Sequence, residues 1–488
     1  MTHRRYRRAI VWLRRDLRLS DNRALYEAAR GSGSVCVAFV LDPALLAGER
    51  LGAPLVQAFF EALAALRGEL RERGSDLALL EGDPGAELVR LARRIEAESV
   101  FYNEDYEPDA VARDLRAHDV LREAGLDVRA WTDLVYFGAR EVVRSDGAPY
   151  KVFTPYKRRW LDLRALAPRK AYESHAAIDG RLTARDEIAA TRAVPAPEDF
   201  GFVSSRAYPH ASEERAKVLL ERFLDGPADR YRECRDLPAS AGTSKVSPQL
   251  RAGTIGIRTC VERAFTLLQA SDPPARAGIE AWIGELIWRD FYQMVLATWP
   301  HVAAGPFAPR AERIAWRAGN SDFGAWCDGR TGYPIVDAAM RQLNEYGWMH
   351  NRLRMIVASF LAKDLLIDWR RGERYSERHL ADADLAANNG GWQWSASTGT
   401  DAVPYFRMFN PVVQGRRIDP AGTFVRRLIP ALRRVPVKYV HAPWEMPPAI
   451  ARQAGVRIGI DYPAPIVELQ AARARALRAF SVLKGERV

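Results

Sequence analysis

Four side chains suited to recognition chemistry share one face of a predicted helix that begins near Ile279. They occupy positions i, i+3, i+4 and i+7, which a helix brings to the same side. A carboxylate and a guanidinium flanking two aromatic rings are costly to bury without partners, which is an argument for a functional face. The alternative is an ordinary amphipathic helix whose aromatic residues pack in a core. The four are Glu285, Trp288, Arg289 and Tyr292.

The densest cluster of polar and aromatic groups is the segment DADLAANNGGWQW, from Asp382 to Trp394. It holds two acids two residues apart, paired asparagines, paired glycines and two tryptophans. Such a set of hydrogen-bonding groups beside aromatic rings is typical of a pocket lining for a heteroaromatic ring. A tight structural loop is the alternative, since Asx residues and glycines also suit turns.

Three further segments have weaker patterns. YGWMHNRLRM ends at Met355 and concentrates polar side chains where a helix starts, but Asn351 is equally explained as its N-cap. GTSKVS, residues 242–247, offers hydroxyls and backbone N–H groups to a phosphate, although it lacks the Walker spacing and also suits a plain N-cap. The segment from Gly415 to Val440 contains seven basic residues and one acidic residue. This excess of positive charge suits either binding to a phosphate backbone or a solvated surface.

Composition limits the class of protein. A chain of 488 residues is expected to form two or more domains. No run of 18 apolar residues predicts a membrane span, and the N-terminal apolar stretch is too short for a signal peptide. Four widely spaced cysteines indicate neither disulfides nor a metal site, and we expect no metal. The net charge of +11 favours polyanionic partners.

Periodicity predicts two kinds of architecture. Short β-branched runs alternate with helical patterns up to about residue 135, which predicts an α/β domain with a parallel, Rossmann-like sheet at 1–135. Because no GxGxxG follows the first strand, this half is a poor candidate for NAD. Residues 136–205 break the periodicity and predict a linker. Helical patterns dominate 206–488, which predicts an all-α C-terminal domain.

Taken together, these segments resemble the photolyase and cryptochrome family over nearly the whole chain, most closely its class I cyclobutane pyrimidine dimer photolyases. The resemblance runs from VWLRRDLRLSDN at Val11 to HAPWEMP at His441 and is most specific in NNGGWQWSASTGTDAVPYFRMFNP. It implies an N-terminal α/β domain, a long linker and an all-α C-terminal domain that binds FAD.

The resemblance also assigns the cofactor site. It implies that the fully reduced, anionic FAD is the active form and that Asn388 faces flavin N5, where a neutral amide adds no charge. Arg354 is expected to pair with Asp382. Lys245 and Val246 depart from the arginine and leucine that are commoner in the family. The implied FAD-binding residues are Tyr231, Thr243, Ser244, Lys245, Val246, Ser247, Arg354, Asp382, Asp384 and Asn388.

By the same resemblance, the chain is expected to flip a pyrimidine dimer out of DNA and split it with an electron from photoexcited flavin. Photolyases are themselves a standard example of base extrusion, for which the general cost of unstacking is roughly a few kcal/mol. Glu285, Asn351, Trp288 and Asn388 are implied as catalytic residues. The implied contacts to DNA or the lesion are Arg235, Glu285, Trp288, Arg289, Tyr292, Asn351, Arg352, Met355, Trp394 and Arg407.

Two accessory functions follow from the resemblance. Trp316, Trp369 and Trp392 match an electron-transfer triad that reduces oxidised flavin, although each tryptophan alone is equally explained by core packing. Asp105 and Glu107 match members that carry an 8-hydroxy-5-deazaflavin antenna. Ala110 stands where folate-binding members have a glutamate, which favours the deazaflavin over the alternative antenna, methenyltetrahydrofolate.

The expected activity is light-dependent repair of cyclobutane pyrimidine dimers, with damaged DNA as the partner. A cryptochrome that signals in blue light without repair is the alternative, and a flavin-dependent redox protein is a third. Glu285, Trp288 and Asn351 favour repair, as does the expectation that no long extension follows the helical domain. We expect a cytoplasmic monomer that is associated with the nucleoid when it binds DNA.

Overall fold

The computed structural model describes residues 5–46, 48, 50–188 and 191–484. The chain divides into two compact units. The first unit comprises Met1–Asp229 and Ser244–Pro300, and the second comprises Arg230–Thr243 and His301–Val488. The first and last four residues of the chain, at the outer ends of the predicted domains, lie outside the described residues.

The first unit is built on one parallel sheet of five strands in the order β3-β2-β1-β4-β5. Side chains of the central strand alternate between two cores: Val11 and Leu13 pack on one face, and Ile10 and Trp12 on the other. Burial of both faces explains the apolar runs found in the sequence. The strands are β1 Tyr6–Leu13, β2 Ser32–Leu41, β3 Ala78–Glu81, β4 Ser99–Asn103 and β5 Asp127–Trp131.

Helices cover the sheet and continue into the second part of this unit. The α-helices up to residue 300 are α1 Arg23–Gly31, α2 Pro43–Leu46, α3 Ala53–Glu72, α4 Pro84–Ile95, α5 Pro108–Glu123, α6 Phe153–Leu166, α7 Ser174–Ala177, α8 Arg185–Ile188, α9 Glu213–Leu224, α10 Tyr231–Cys234, α11 Ser247–Ala252, α12 Ile257–Ala270 and α13 Pro273–Thr298. Of these, α10 belongs to the second unit.

The second unit is helical, and its described residues contain only isolated bridges in place of strands. A π-helical turn, Phe360–Asp364, directly follows α16. Besides α10, the α-helices of the second unit are α14 Asn320–Cys327, α15 Pro334–Tyr346, α16 Asn351–Ser359, α17 Trp369–His379, α18 Leu385–Ala396, α19 Pro411–Ile418, α20 Thr423–Leu428, α21 Pro448–Ala454 and α22 Leu469–Ala479. The predicted fold class, an α/β domain followed by an all-α domain, is confirmed.

Short 3-10 helices complete the secondary structure. They occupy Pro197–Phe200, Pro300–Ala303, Pro309–Arg313, Pro430–Leu432, Val437–Tyr439, Pro443–Glu445 and Phe480–Leu483. Across the described part of the chain, no helix combines the length and apolar character that crossing a bilayer requires.

Candidate functional site

The predicted functional face of α13 is present in the first unit. Glu285, Trp288, Arg289 and Tyr292 are all half-buried, whereas the residues between them are mostly buried. The Trp288 ring stacks on Phe153 with 3.6 Å between ring centroids and 8° between planes. It also lies 5.3 Å from the Tyr292 ring, and Arg289 Nη1 donates to the Leu134 carbonyl at 2.5 Å. The face is therefore aromatic, preorganised and open to a ligand.

Asp290, which no sequence pattern singled out as functional, holds this helix in place. Its carboxylate is buried and accepts hydrogen bonds from the Tyr136 backbone N–H at 3.1 Å and from Trp160 Nε1 at 3.0 Å. Burial raises the pKa of Asp290 to about 6 despite these hydrogen bonds.

The predicted phosphate segment spans the division between the units, because Thr243 ends one segment and Ser244 begins the next. Lys245 is exposed and has a left-handed backbone with φ of 55°. Val246 is buried and precedes α11, whose first residue is Ser247. The helix therefore begins at the last residue of the segment.

Of the two predicted antenna residues, Asp105 lines a cleft in the first unit, together with Arg15, Leu250 and Gly253. Arg15 Nη1 lies 3.3 Å from Asp105 Oδ1 and 2.7 Å from Glu107 Oε1. Burial raises the pKa of Asp105, but the positive charges of Arg15 and Arg251 outweigh burial and lower it overall. Both acids are thus already paired with arginine.

In the second unit, Arg354 pairs with Asp382 as predicted, with Nη2 at 3.0 and 2.8 Å from the two carboxylate oxygens. Arg354 Nε also donates to the Met349 carbonyl at 2.9 Å. Asp384 caps the N-terminus of α18 by accepting from the Ala387 N–H at 3.0 Å. Both acids are buried, so the pair and the cap fix the start of α18.

Helix α18 has an open face that carries small side chains. Ala387 and Gly391 are exposed, while Asn388 and Trp394 are half-buried, and a Cβ atom on Gly391 would meet nothing within 4 Å. Asn388 Nδ2 donates to the Glu373 carbonyl at 3.2 Å, which fixes its side chain. The remaining helix surface is largely buried, so this face has room for a flat ligand.

The second asparagine of the pair has a structural role that the sequence did not reveal. Asn389 is buried, and its Nδ2 donates at 2.8 Å both to the Val302 carbonyl and to Glu373 Oε1. Gln393 Nε2 donates to Asn389 Oδ1 at 2.9 Å. Asn389 and Gln393 lie one helical turn apart. Their hydrogen bonds therefore hold the buried side of α18 in place.

The alternative role of Asn351 as an N-cap is wrong. The N-cap of α16 is His350, whose Nδ1 accepts from the Arg352 backbone N–H at 3.2 Å. Asn351 is the exposed first residue of the helix. Arg352 is held by Asp236, with its Nε and Nη2 at 2.9 and 2.7 Å from the two carboxylate oxygens. Burial raises the pKa of Asp236, but its hydrogen bonds from Arg352 lower it overall.

The other predicted contacts in this unit differ in exposure. Tyr231 is buried, and the half-buried Arg235 lies over its ring at 5.7 Å. Met355 is half-buried one turn after Asn351, whereas Arg407 is exposed and its carbonyl accepts from the buried Lys363 Nζ at 3.0 Å.

The three predicted electron-transfer tryptophans differ in exposure. Trp369 and Trp392 are buried, whereas Trp316 is half-buried and packs on Phe480 at 5.6 Å between ring centroids. Trp392 also contacts Trp326, which the sequence patterns did not single out, with 6.0 Å between ring centroids.

The basic segment after Gly415 forms a largely exposed surface. Arg416 pairs with Glu445 at 3.4 Å, and Arg426 donates to the Val435 carbonyl at 2.7 Å. The other basic side chains of the segment are solvent-exposed: Arg417, Arg427, Arg433, Arg434 and Lys438.

Two protein families match the chain. Residues 9–173 match the family described as DNA photolyase, and residues 282–482 match the FAD binding domain of DNA photolyase. A curated deoxyribodipyrimidine photo-lyase from Escherichia coli is 41% identical over 97% of this chain and 98% of its own. Its counterpart from Halobacterium salinarum is 40% identical over 98% and 99%.

Solved structures agree with these relatives. A class III photolyase from Agrobacterium tumefaciens superposes with a TM-score of 0.88 at 35% identity, covering 98% of both chains. A Synechocystis cryptochrome superposes with a TM-score of 0.86 at 26% identity, covering 98% of this chain and 100% of its own. Because relatives of about 40% identity match over almost their entire length, this chain belongs to the photolyase and cryptochrome family.

Proposed function

We propose that this chain is a deoxyribodipyrimidine photo-lyase, a carbon–carbon lyase that repairs cyclobutane pyrimidine dimers in DNA with light and FAD. The observation that carries the proposal is the half-buried face of α13, on which Glu285 lies beside the paired rings of Trp288 and Tyr292. Relatives that match this chain over almost their full length are named deoxyribodipyrimidine photo-lyase. Bound reduced FAD supplies an electron on excitation by light.

The residues present fit FAD. The open face of α18, from Ala387 to Trp394, leaves room for a flat ring because Gly391 has no neighbour within 4 Å of a Cβ position. Asn388 carries a neutral amide at this face, which hydrogen-bonds to a flavin without adding a charge. Asp382 and Asp384, held by Arg354 and by the helix start, are fixed acceptors for N–H groups of the cofactor.

We also assign the cofactor's phosphates to the segment from Thr243 to Ser247. Its hydroxyls and the backbone N–H groups at the start of α11 are suitable donors to phosphate oxygens. Gly242 is required there because a Cβ would lie 2.4 Å from Cys234 Cβ. Tyr231, buried under Arg235, completes the proposed FAD contacts, together with Lys245 and Val246.

For the dimer, we assign recognition to Glu285, Trp288 and Asn351, assisted by Tyr292, Met355 and Trp394. The Glu285 carboxyl is assigned a hydrogen bond to a pyrimidine carbonyl, which stabilises negative charge that develops there. The Trp288 ring, already stacked on Phe153, offers a rigid surface to flipped bases. The exposed Asn351 side chain at the start of α16 has amide donors and acceptors for a base edge.

Contacts to the DNA backbone are assigned to Arg235, Arg289, Arg352 and Arg407. Arg407 is exposed, and Arg352 is oriented by its two-point pair with Asp236. The exposed basic surface after Gly415 adds positive charge to the same unit, which favours phosphate binding through counterion release. We propose that the protein binds DNA as a monomer, in the cytoplasm and at the nucleoid.

The antenna is a separate proposal. We assign an 8-hydroxy-5-deazaflavin to the cleft near Asp105 and Glu107, whose pairing with Arg15 leaves a polar, charge-balanced wall. Methenyltetrahydrofolate is the alternative, and a photolyase from Sulfolobus tokodaii, with a TM-score of 0.81 at 31% identity, was solved with two FAD molecules. Absorption and mass spectra of pigment released from purified protein distinguish a deazaflavin, a folate and a second FAD.

We further propose three functional regions: 1–135 for the antenna, 136–205 as the connection, and 206–488 for FAD and DNA. Limited proteolysis tests these boundaries. The decisive experiment for the activity illuminates the reduced protein with an oligonucleotide that contains one thymine dimer. Intact thymines above a dark control are expected, and their absence favours a cryptochrome.

A further inference from the structure

A buried lysine of the second unit holds the backbone of an exposed loop. The loop joins α18 to α19 and comprises residues 397–410. Lys363 is fully buried, and its Nζ donates to the Arg407 carbonyl at 3.0 Å. The hydrogen bond therefore acts on the main chain of the loop and leaves the Arg407 side chain exposed.

The middle of this α18–α19 loop alternates between inward and outward side chains. Tyr405 and Met408 pack on an apolar cluster of the same unit. Phe406 and Arg407, between them, are exposed. The Arg407 N–H also closes a turn by donating to the Pro404 carbonyl at 2.9 Å. An aromatic ring and a cation thus stand next to each other at the surface, a pair that suits stacking on bases and contact with phosphates.

Lys363 lies in the π-helical turn Phe360–Asp364. Turns of this kind are rare and occur frequently at functional sites. This one directly follows α16, whose first two residues are Asn351 and Arg352. The hydrogen bond from Lys363 therefore ties the loop to the helix that carries two further residues assigned to the dimer and the DNA backbone.

Burial of the Lys363 amine is unfavourable, which indicates that its contact with the loop has a function. Loss of hydration lowers the pKa of Lys363 to about 7, although the neighbouring Asp364 acts in the opposite direction. Among the described residues, the Arg407 carbonyl is its one hydrogen-bond partner. A methionine would fill a similar space without this cost, so the contribution specific to lysine is its hold on the loop.

We propose that Lys363 is a positioning residue that fixes the α18–α19 loop in the conformation that presents Phe406 and Arg407 to DNA. The inference rests on the proposed function, in which Arg407 contacts the DNA backbone. A loop that is held before binding costs less conformational entropy when DNA arrives, which strengthens binding. Lys363 itself touches no ligand, because its side chain is fully buried.

The first test separates DNA binding from the photochemical step. Lys363→Met is expected to weaken binding of an oligonucleotide with one thymine dimer about tenfold, or about 1.4 kcal/mol, in fluorescence anisotropy. At saturating DNA, its repair yield per absorbed photon should equal that of the unaltered protein. Arg452→Met removes an exposed positive charge from α21 of the same unit and should leave the affinity unchanged. A lower yield at saturation with unchanged affinity overturns the proposal.

A double-mutant cycle tests whether Lys363 acts through the loop. In a Phe406→Ala, Arg407→Ala background, adding Lys363→Met should change the affinity by less than about twofold, because the side chains it positions are gone. Lys363→Gln keeps an N–H donor and should recover part of the affinity that Lys363→Met loses. The same tenfold loss in both backgrounds would show that Lys363 acts elsewhere. Lys363→Leu replaces Lys363→Met in the cycle if methionine prevents folding.

A third measurement needs no DNA. Hydrogen exchange followed by mass spectrometry should show faster exchange of the loop amides in Lys363→Met, with the amides of α17 unchanged. Unchanged loop exchange contradicts the positioning role whatever the protein binds. Equal affinity of the unaltered chain for damaged and undamaged DNA would instead count against the proposed function.

Discussion

Gly372 lies directly against the Trp392 indole ring, so that a Cβ atom on the glycine would stand 2.2 Å from Cη2. Gly372 is one turn after Trp369 on α17, so the two residues share a helix face. The absence of a side chain therefore allows α17 and α18 to approach, and it sets the distance between two proposed electron-transfer residues.

Replacing this glycine with alanine should destabilise the protein. Intrinsic helix propensity alone favours alanine by about 1 kcal/mol, but overpacking a close contact typically costs about 1–3 kcal/mol. Because Gly372 and the ring are both buried, the steric cost should exceed the gain. Denaturant unfolding of Gly372→Ala should show a lower midpoint, with slower photoreduction.

Gly324→Ala is the matched control for this prediction. Gly324 lies within α14 of the same unit, and a Cβ there would meet nothing within 4 Å. This variant should unfold at an equal or higher denaturant concentration. A Gly372→Ala protein as stable as the control would contradict the close approach of the two helices.

Glu285→Ala should lower the repair yield about tenfold, since a hydrogen bond to a charged group contributes about 1.5–3 kcal/mol. Glu285→Gln keeps an N–H donor and should retain most of the yield. Both variants should keep the flavin absorption spectrum, measured beside repair of a dimer oligonucleotide. Glu280→Ala, at an exposed position of α13, is the control, and equal yields in all four proteins would remove Glu285 from dimer recognition.

Arg352→Ala should weaken binding to dimer-containing DNA and flatten its salt dependence. The loss of one phosphate contact lowers the slope of log affinity against log salt by about 1. Arg452→Ala, at an exposed position of α21, should leave the slope unchanged. Fluorescence anisotropy over a range of salt concentrations tests both variants, and a parallel shift without a change of slope would assign Arg352 to structure through Asp236.

Asp290 predicts a pH dependence of stability. Its pKa of about 6 in the folded chain exceeds the ordinary value of 3.8, so the folded state holds the proton more tightly. Its contribution to stability is complete below about pH 4 and is lost as the pH rises through about 6, at a cost of roughly 3 kcal/mol.

Asp290→Asn should remove this dependence, since its amide oxygen can still accept from Trp160 and Tyr136. Unfolding free energies measured from pH 4 to 7 should therefore fall less steeply in Asp290→Asn than in the unaltered protein. Parallel curves would show that Asp290 does not titrate in this range.

Local patterns predicted the parallel sheet of the first unit and the helical character of the second. The short apolar runs of the first 135 residues coincide with β1 to β4. The fifth strand, β5 Asp127–Trp131, was not predicted from the sequence. It is an edge strand in which polar and apolar residues alternate, so it has no apolar run. Helix α6, Phe153–Leu166, was not predicted either, because charged residues between its three buried aromatic residues obscure their helical spacing.

The sequence by itself determined the family resemblance, the two architectures and the residue types at the candidate sites. Only the tertiary structure decided which of two adjacent asparagines faces outward and that His350, not Asn351, caps α16. It also decided that Arg352 pairs with Asp236, 116 residues away, and that Trp326 lies against Trp392. Helix and strand periods are local properties of a chain, whereas partners distant in sequence are set by how the helices pack.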